Sequence, residues 1–239
     1  MTGKLKVFAA MAISALVAVL LFLIPTTASA VTTNLNAGES VNLLTLIDSS
    51  LSVQIGDKVF GDFFWNDTYD SGAPDMAASN VNVKALLNLN DIGLRLEFLP
   101  VTAGPGEFKD FVFEYTVAVT NSPNLISDMH LSIDGTAGGS AFASVGETAH
   151  VGGLGGTIVG SLGTNLFAGD PTPIDVATNL DYAVTKLWIE KDVTLYGPDD
   201  SVAITSIDQT FSQIPEPSTA LLVGLGLLGA VAANRKRKS

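Results

Sequence analysis

The sequence predicts an all-β fold, an antiparallel β-sandwich of jelly-roll-like character, flanked by an apolar helix at each end. Three observations carry this. Apolar residues recur at every second position through the body, the periodicity of half-buried strands. Clusters of Gly, Pro and Asp separate those runs at strand-length intervals. No stretch repeats its apolar residues at the spacing of an amphipathic helix.

At the N-terminus, Lys4 and Lys6 precede an apolar run from Val7 to Ile24 broken only by Ser14, followed by Pro25 and by Ala28-Ser29-Ala30. Charge, apolar stretch and small residues at an A-x-A site, in that order, define an export signal over residues 1–30, with Ala28 and Ala30 as the cleavage determinants. A signal helix of this kind implies the Sec translocon and signal peptidase as partners. An uncleaved N-terminal anchor is the alternative, because the run is slightly long for a signal.

The body follows over residues 31–213. Its expected strands are Val41 to Ile47, Lys58 to Trp65, a run through Val81, Val83, Ala85 and Leu87, and another through Leu94, Leu96 and Phe98. Next come 111–119, whose odd positions Phe111, Phe113, Tyr115, Val117 and Val119 are apolar, and the alternating Met129, Leu131 and Ile133. Thr157 to Leu162, Ala183 to Leu195 and Ser201 to Phe211 complete the set. Turns are expected at 71–75, 103–106, 135–140, 152–156 and 197–200, each rich in Gly, Pro or Asp. Short strands at this spacing argue for two sheets packed face to face.

The chain of 239 residues carries 12 basic and 24 acidic side chains. Every acidic residue lies between Glu39 and Glu216, while Lys4, Lys6 and the run 235–238 take half of the cations, so the body is far more acidic than the average. Such a surface repels phosphate backbones and excludes nucleic acid as a partner. The absence of cysteine removes thiol catalysis, iron–sulfur clusters and the usual structural zinc sites. A body of this size needs no disulfide to fold after export.

The C-terminal 25 or so residues form a second targeting segment. Thr219 to Ala233 is uncharged and apolar, and Arg235, Lys236, Arg237 and Lys238 follow as a basic stop. Seven Leu and Val residues supply only about −3 kcal/mol toward insertion, a marginal transmembrane helix whose cations stay cytoplasmic and whose acidic body stays outside. Just before it, Pro215-Glu216-Pro217 fixes the backbone and removes two N–H donors, so that neither helix nor sheet is expected to absorb the segment.

This ordered trio over residues 214–239, a P-E-P motif, a short Leu/Gly-rich span and a basic tail, resembles the PEP-CTERM sorting signal of exported bacterial proteins. The resemblance implies an exosortase, a multi-pass membrane protein with a cysteine nucleophile, as the enzyme that cuts near Pro215, Glu216 and Pro217. It also implies a Gram-negative, exopolysaccharide-producing cell. The protein would sit transiently in the inner membrane, then at the cell surface or in the extracellular matrix. Segments 56–65 (GDKVFGDFFW) and 126–135 (ISDMHLSIDG) loosely resemble other bodies carrying this tail, with no activity implied.

No catalytic constellation emerges from the body. His130 falls on the polar side of its strand and His150 beside a Gly-rich turn, so both are expected in solvent and no metal site is assigned. Ser161 is out of register for a nucleophile elbow and reads as a turn residue. Gly152 to Thr157 lacks the phosphate-loop pattern. The acids Asp62, Asp67, Asp70 and Asp75 surround one expected loop, and the oxygen-rich stretch Asn66 to Asp70 makes calcium the one cofactor worth weighing, although the EF-hand pattern is absent. Trp65, Tyr69 and Trp188 form a conceivable sugar platform, with Trp188 sharing a face with Glu190 and Asp192; ordinary packing is the competing reading.

The expected function is therefore that of a non-enzymatic, exported surface or matrix protein processed by an exosortase. A carbohydrate-binding module for exopolysaccharide is the alternative. A hydrolase with spatially assembled carboxylates and an ice-binding protein are further rivals, the last weakened by the lack of a T-x-T ladder.

Overall fold

A computed structural model describes residues 31–70, 77–87, 91–120 and 124–215. The expected signal helix, with Ala28 and Ala30, and the expected C-terminal span, with Glu216, Pro217 and Arg235 to Lys238, lie outside the described residues, as does Asp75. Among the described residues no helix is long and apolar enough to cross a membrane.

The described chain is nearly all strand. Sheet A contains β1 (Thr32–Asn34), β3 (Ser52–Ile55), β4 (Lys58–Asp70), β7 (Glu107–Val119), β9 (Phe142–Val151), β10 (Thr157–Phe167) and β12 (Lys186–Gly197), in the order β1-β3-β4-β7-β12-β9-β10. Sheet B contains β2 (Ser40–Asn42), β5 (Val81–Leu87), β6 (Ile92–Ala103), β8 (Asn124–Ala137), β11 (Ile174–Val184) and β13 (Val202–Phe211), in the order β11-β8-β13-β6-β5-β2, with β14 (Gln213–Pro215) beside β8. All pairings are antiparallel except that of β1 with β3, which is parallel and makes sheet A mixed.

The alternation read from sequence sets which face is buried. Phe111, Phe113, Tyr115 and Val117 point into the space between the sheets, as do Val81, Val83 and Ala85, Leu94 and Leu96, and Met129, Leu131 and Ile133. Rings from both sheets meet there: Phe60 of sheet A lies 6.3 Å from Phe211 of sheet B, and Phe98 of sheet B lies 5.9 Å from Phe111 and 6.5 Å from Trp65. One continuous apolar cluster results. Burying a ring of this size stabilises by about 2–3 kcal/mol.

Several expected boundaries are corrected. Val41 to Ile47 is not one strand: it divides into β2 and a short helix, α1 (Leu43–Asp48). Asn42 caps that helix, its side-chain oxygen accepting from the Leu44 N–H at 3.1 Å, while Leu43 and Leu46 turn inward together. Ala183 to Leu195 divides at Thr185 into the end of β11 and β12. Strands β3, β9 and most of β11 had no counterpart in the sequence reading. Gly135, an expected turn residue, lies inside β8.

Central strand β13 is approached closely by glycine from both neighbours. A Cβ on Gly93 of β6 would stand 1.7 Å from the Gln209 carbonyl oxygen, and one on Gly135 of β8 would stand 2.2 Å from that of Ala203. Only a residue without a side chain permits the pairing. Gly93→Ala is therefore expected to destabilise the body by at least about 3 kcal/mol, because backbone rather than a flexible side chain must move. Urea unfolding of the purified body measures it.

The core also holds charge. Of the body's six cations, Lys58, Lys109 and Lys191 are each at most 1% exposed. Lys191 shares its inward face of β12 with Leu187, Ile189, Val193 and Leu195. It forms an ion pair with Glu147, directly opposite on β9, and its Nζ donates to Gln209 Oε1 of β13 in the facing sheet at 2.5 Å. Burial pushes the Lys191 amine well below the ordinary lysine range.

Candidate functional site

Two regions carry functional signals: the C-terminal exit of the body and the outer face of sheet A. At the exit, β14 continues the pairing of β13 along β8 after a slip at Ser212, with Gln213 opposite Ile126 and Pro215 opposite Asn124. A sheet thus accepts the first proline of the P-E-P motif, against the expectation that none could. The position explains it, since Pro215 is the last residue of a three-residue strand, where a missing N–H is tolerated.

Ser212 is fastened on three sides. Its N–H donates to Asp128 Oδ1 at 2.9 Å, its hydroxyl donates to Asp91 Oδ1 at 2.6 Å, and its carbonyl accepts from the Ser127 N–H at 3.1 Å. Gln213 Nε2 donates to Asp57 Oδ1 at 3.3 Å. The charges of Asp57, Asp91 and Asp128 surround buried Lys58, whose amine burial lowers and these acids pull back up. Strand β13 ends at Phe211, the expected end of the final strand, but β14 follows it, so the body holds its chain firmly up to the start of the motif.

On the outer face of sheet A, the registers of β7, β12, β9 and β10 align five rows of side chains. The first is aromatic: Phe108, Tyr196, Phe142 and Phe167, with neighbouring centroids 6.3, 6.0 and 6.0 Å apart. Tyr196 is 38% exposed and Phe167 50%. The next three rows are mostly polar: Asp110, Thr194, Ser144 and Asn165; then Val112, Asp192, Gly146 and Gly163; then Glu114, Glu190, Thr148 and Ser161. The fifth is Thr116, Trp188, His150 and Ile158. At 3.4 Å per residue, roughly 27 Å separate the Tyr196 and Trp188 rows.

A cleft of about 290 Å³ opens in the middle, lined by Gly146, Thr148, Ser161, Glu190 and Asp192 among others. It exists because Gly146 and Gly163 face each other and put no side chain on this surface. A Cβ on Gly146 would meet only the Asp192 carbonyl, at 3.9 Å. A second cleft, about 400 Å³, lies on the outer face of sheet B beside Arg95, Glu97 and Asp134. Its charged lining is already paired, Arg95 with Asp208 in a fork at 2.6 and 2.7 Å and Glu97 with Lys84 at 2.8 Å.

Carboxylates crowd the sheet A face. Partial burial raises the Glu114 pKa, and the charge of Glu190 adds to it. Burial likewise raises Asp192, followed by the charge of Asp110, a hydrogen bond between those two carboxyls, and the charge of Glu190. A carboxyl whose folded pKa exceeds its unfolded value binds protons in the fold that the unfolded chain has released, so stability falls as pH rises through that window, above the ordinary carboxylate range of about 4. Asp192→Asn is expected to stabilise the body at neutral pH, with its advantage over the wild type shrinking as pH falls toward 4. Thermal melts of both proteins across this range give the difference.

The sequence-predicted residues are partly brought together. Trp188, Glu190 and Asp192 do share the outer face, with Lys186 Nζ 4.5 Å over the Trp188 ring. Trp65 does not join them, because it turns to the core and stacks on Phe111 at 4.5 Å. The platform of Trp65 with Trp188 is thus corrected: the two occupy opposite faces of one sheet. Asn66 to Asp70 is not a loop but the end of β4. Asp62, Asp67 and Asp70 likewise lie in β4, and among the described residues no three potential ligands converge on a metal position.

His130 is exposed as expected, 3.4 Å from Asp128. His150 is not: it is 6% exposed and bonds Thr148 Oγ1 at 2.9 Å, because β9 runs on to Val151 and places it in register between Trp188 and Ile158. Ser161 is a strand residue of β10 rather than a turn residue. Sequence reasoning missed Phe108, Phe142, Tyr196 and Phe167, since the row draws one residue from each of four strands. The only local signal was the continued outward parity of Trp188, Glu190, Asp192, Thr194 and Tyr196.

Fold and sites thus define an acidic two-sheet sandwich with a row-patterned outer face and a clamped C-terminal exit. Residues 213–238 match the PEP-CTERM protein-sorting motif, so the chain carries that signal and is an exported, sorted protein. No curated protein matches the chain. Among solved structures, it is similar to TmCBM61 in complex with β-1,4-galactotriose, at 10% identity over 65% of this chain and 89% of that one, TM-score 0.35. It is also similar to the enzymatically active domain of bacteriophage CBA120 tailspike protein 4, at 11% over 66% and 20%, TM-score 0.31. A third is the module CBM6cm-2 from Cellvibrio mixtus lichenase 5A in complex with cellotriose, at 11% over 67% and 95%, TM-score 0.24. At these scores the likenesses assign no function to this chain.

Proposed function

We propose that this protein is a non-enzymatic surface or matrix component whose sheet A outer face binds a neutral polysaccharide. The observation that supports the reading is the solvent-facing row Phe108, Tyr196, Phe142 and Phe167, set beside three rows of hydrogen-bonding side chains on a rigid sheet. Rings offer the apolar C–H faces of a sugar a surface to stack on, and Asp, Glu, Thr, Ser and Asn exchange hydrogen bonds with its hydroxyls. The excess of 24 acidic over 12 basic residues in the chain repels an acidic polymer, which leaves a neutral one. No metal or cofactor is needed for this chemistry, and calcium has no part in it.

In the same reading, the Sec translocon exports the chain and signal peptidase removes residues 1–30 after Ala30. Residues 219–233 then hold the body at the inner membrane, with Arg235 to Lys238 inside, until an exosortase cuts near Pro215-Glu216-Pro217. The body passes to the cell surface or matrix. The Ser212 clamp leaves little slack between body and bilayer at that stage.

The test is a glycan array and affinity electrophoresis with purified 31–215, beside Gly146→Val. Valine has open space there and suits a strand better than glycine, so a stability change within about 1 kcal/mol is expected. Filling the cleft is expected to cut retention by neutral glycans at least about tenfold, near 1.4 kcal/mol. Equal retention of both proteins, or retention of neither, refutes the reading.

A further inference from the structure

The buried group of Lys191, Glu147 and Gln209 contains every component of an amide-forming reaction. Lys191 Nζ is a primary amine placed against the carboxamide of Gln209, to which it donates at 2.5 Å, and it also touches the Glu147 carboxyl. All three side chains lie between the sheets, with Lys191 and Gln209 0% exposed and Glu147 3%. Their neighbours in register are Phe113, opposite Lys191 on β7, and Leu94 and Leu131, on either side of Gln209.

As separate side chains these groups are poorly satisfied. Gln209 Nε2 and Glu147 Oε1 are buried without a hydrogen-bond partner, and Glu147 Oε2 meets only the Lys191 amine. An orphaned buried polar atom costs about 1–3 kcal/mol, so a fold rarely keeps several together.

We propose that Lys191 and Gln209 form an intramolecular isopeptide bond that ties sheet A to sheet B, with Glu147 as the proton shuttle. The Nζ lone pair attacks Gln209 Cδ, and the carbonyl electrons move onto Oε1. Glu147 accepts a proton from Nζ and delivers one to Nε2. The Cδ–Nε2 bond breaks as the carbonyl re-forms, and ammonia leaves. One C–N bond is exchanged for another, nothing is oxidised or reduced, and Glu147 ends as it began.

Several features favour the reaction. Burial lowers the amine's pKa and so favours its neutral, nucleophilic form. Water that would compete is excluded, and the fold holds the reactants in contact, so a normally sluggish amide exchange becomes unimolecular. The product removes the orphan Nε2 altogether, and the new amide N–H can donate to Glu147. A carboxamide is also the better acyl donor here, since Glu147 as a carboxylate would resist attack. In a chain with no cysteine, the bond constrains the unfolded state across β12 and β13 as a disulfide would, and no reductant opens it.

Peptide mapping of the full-length chain, recovered from the exporting cell and digested with trypsin after denaturation, tests this. The expected product is a peptide that begins at Leu187, runs uncut through Lys191 and weighs one ammonia less than its sequence. In Glu147→Gln, cleavage after Lys191 is expected to return and the mass deficit to vanish. Cleavage after Lys191 in the wild type, with Gln209 intact, overturns the proposal. So does a deficit of one water in a product joining the peptides of Glu147 and Lys191, which would make Glu147 the acyl donor. The wild-type map decides the matter even if the variant does not fold.

Discussion

Lys191→Ala is expected to destabilise the body by about 3–5 kcal/mol, the largest single-residue loss among its polar positions. The substitution strands Glu147, 3% exposed, and Gln209, 0% exposed, between two apolar sheets without their cation. It also deletes an aliphatic stem packed on the same face as Ile189 and Val193. The loss holds whether Glu147 faces an ammonium or the N–H of an amide, because either way its one partner is removed. Lys191→Met combined with Glu147→Leu and Gln209→Leu fills the same volume with no polar atom to satisfy, and is expected to recover most of the stability. Urea titration of the three proteins at neutral pH measures both effects. A single variant as stable as the wild type would mean that the buried group contributes nothing to the fold.

The second large effect is expected at the aromatic row. Tyr196→Ala with Phe142→Ala removes the two central rings, each of which has a ring neighbour on either side. Stacking of about 1–1.5 kcal/mol per ring converts to a loss of affinity for a neutral glycan of about thirtyfold or more for the pair. The fold should survive, since cross-strand pairs on an outer face contribute only about 0.2–1 kcal/mol each. Trp188→Ala, at the far end of the polar rows, separates a long binding strip from a short one: a similar loss there means that the glycan spans all five rows. Glycan retention and a thermal melt on the same samples distinguish lost binding from lost structure.

Much of the fold was legible because strand alternation is a local property. Residues 111–119 show their buried parity in sequence, and β7 buries Phe111, Phe113, Tyr115 and Val117. The turns at 152–156 and 197–200 were legible for the same reason. Helix α1 escaped notice because a six-residue helix has too few turns to show a period, although Asn42 was its cap in plain view. The trio in the core was half visible: Lys191 interrupts the apolar parity of Leu187, Ile189, Val193 and Leu195, Glu147 that of Val145 and Ala149, and Gln209 that of Ile207 and Phe211. Each exception could be seen alone, but nothing in the linear chain indicates that they meet.

What the sequence determined by itself lies in contiguous segments: two targeting ends, read from the order of charge, apolar span and P-E-P motif, and the strand periodicity of an acidic, cysteine-free body. The apolar ends interact with machinery outside the molecule, and a strand's two faces are set by its own residues, so neither needs a partner strand to be recognised. Only the tertiary structure decided the rest. The registers of β7, β12, β9 and β10 align Phe108, Tyr196, Phe142 and Phe167 into one row and open the cleft over Gly146. The packing of sheet on sheet brings Lys191 to Gln209. Register and sheet packing are long-range choices, fixed by the whole buried surface at once, and no local stretch of residues encodes them.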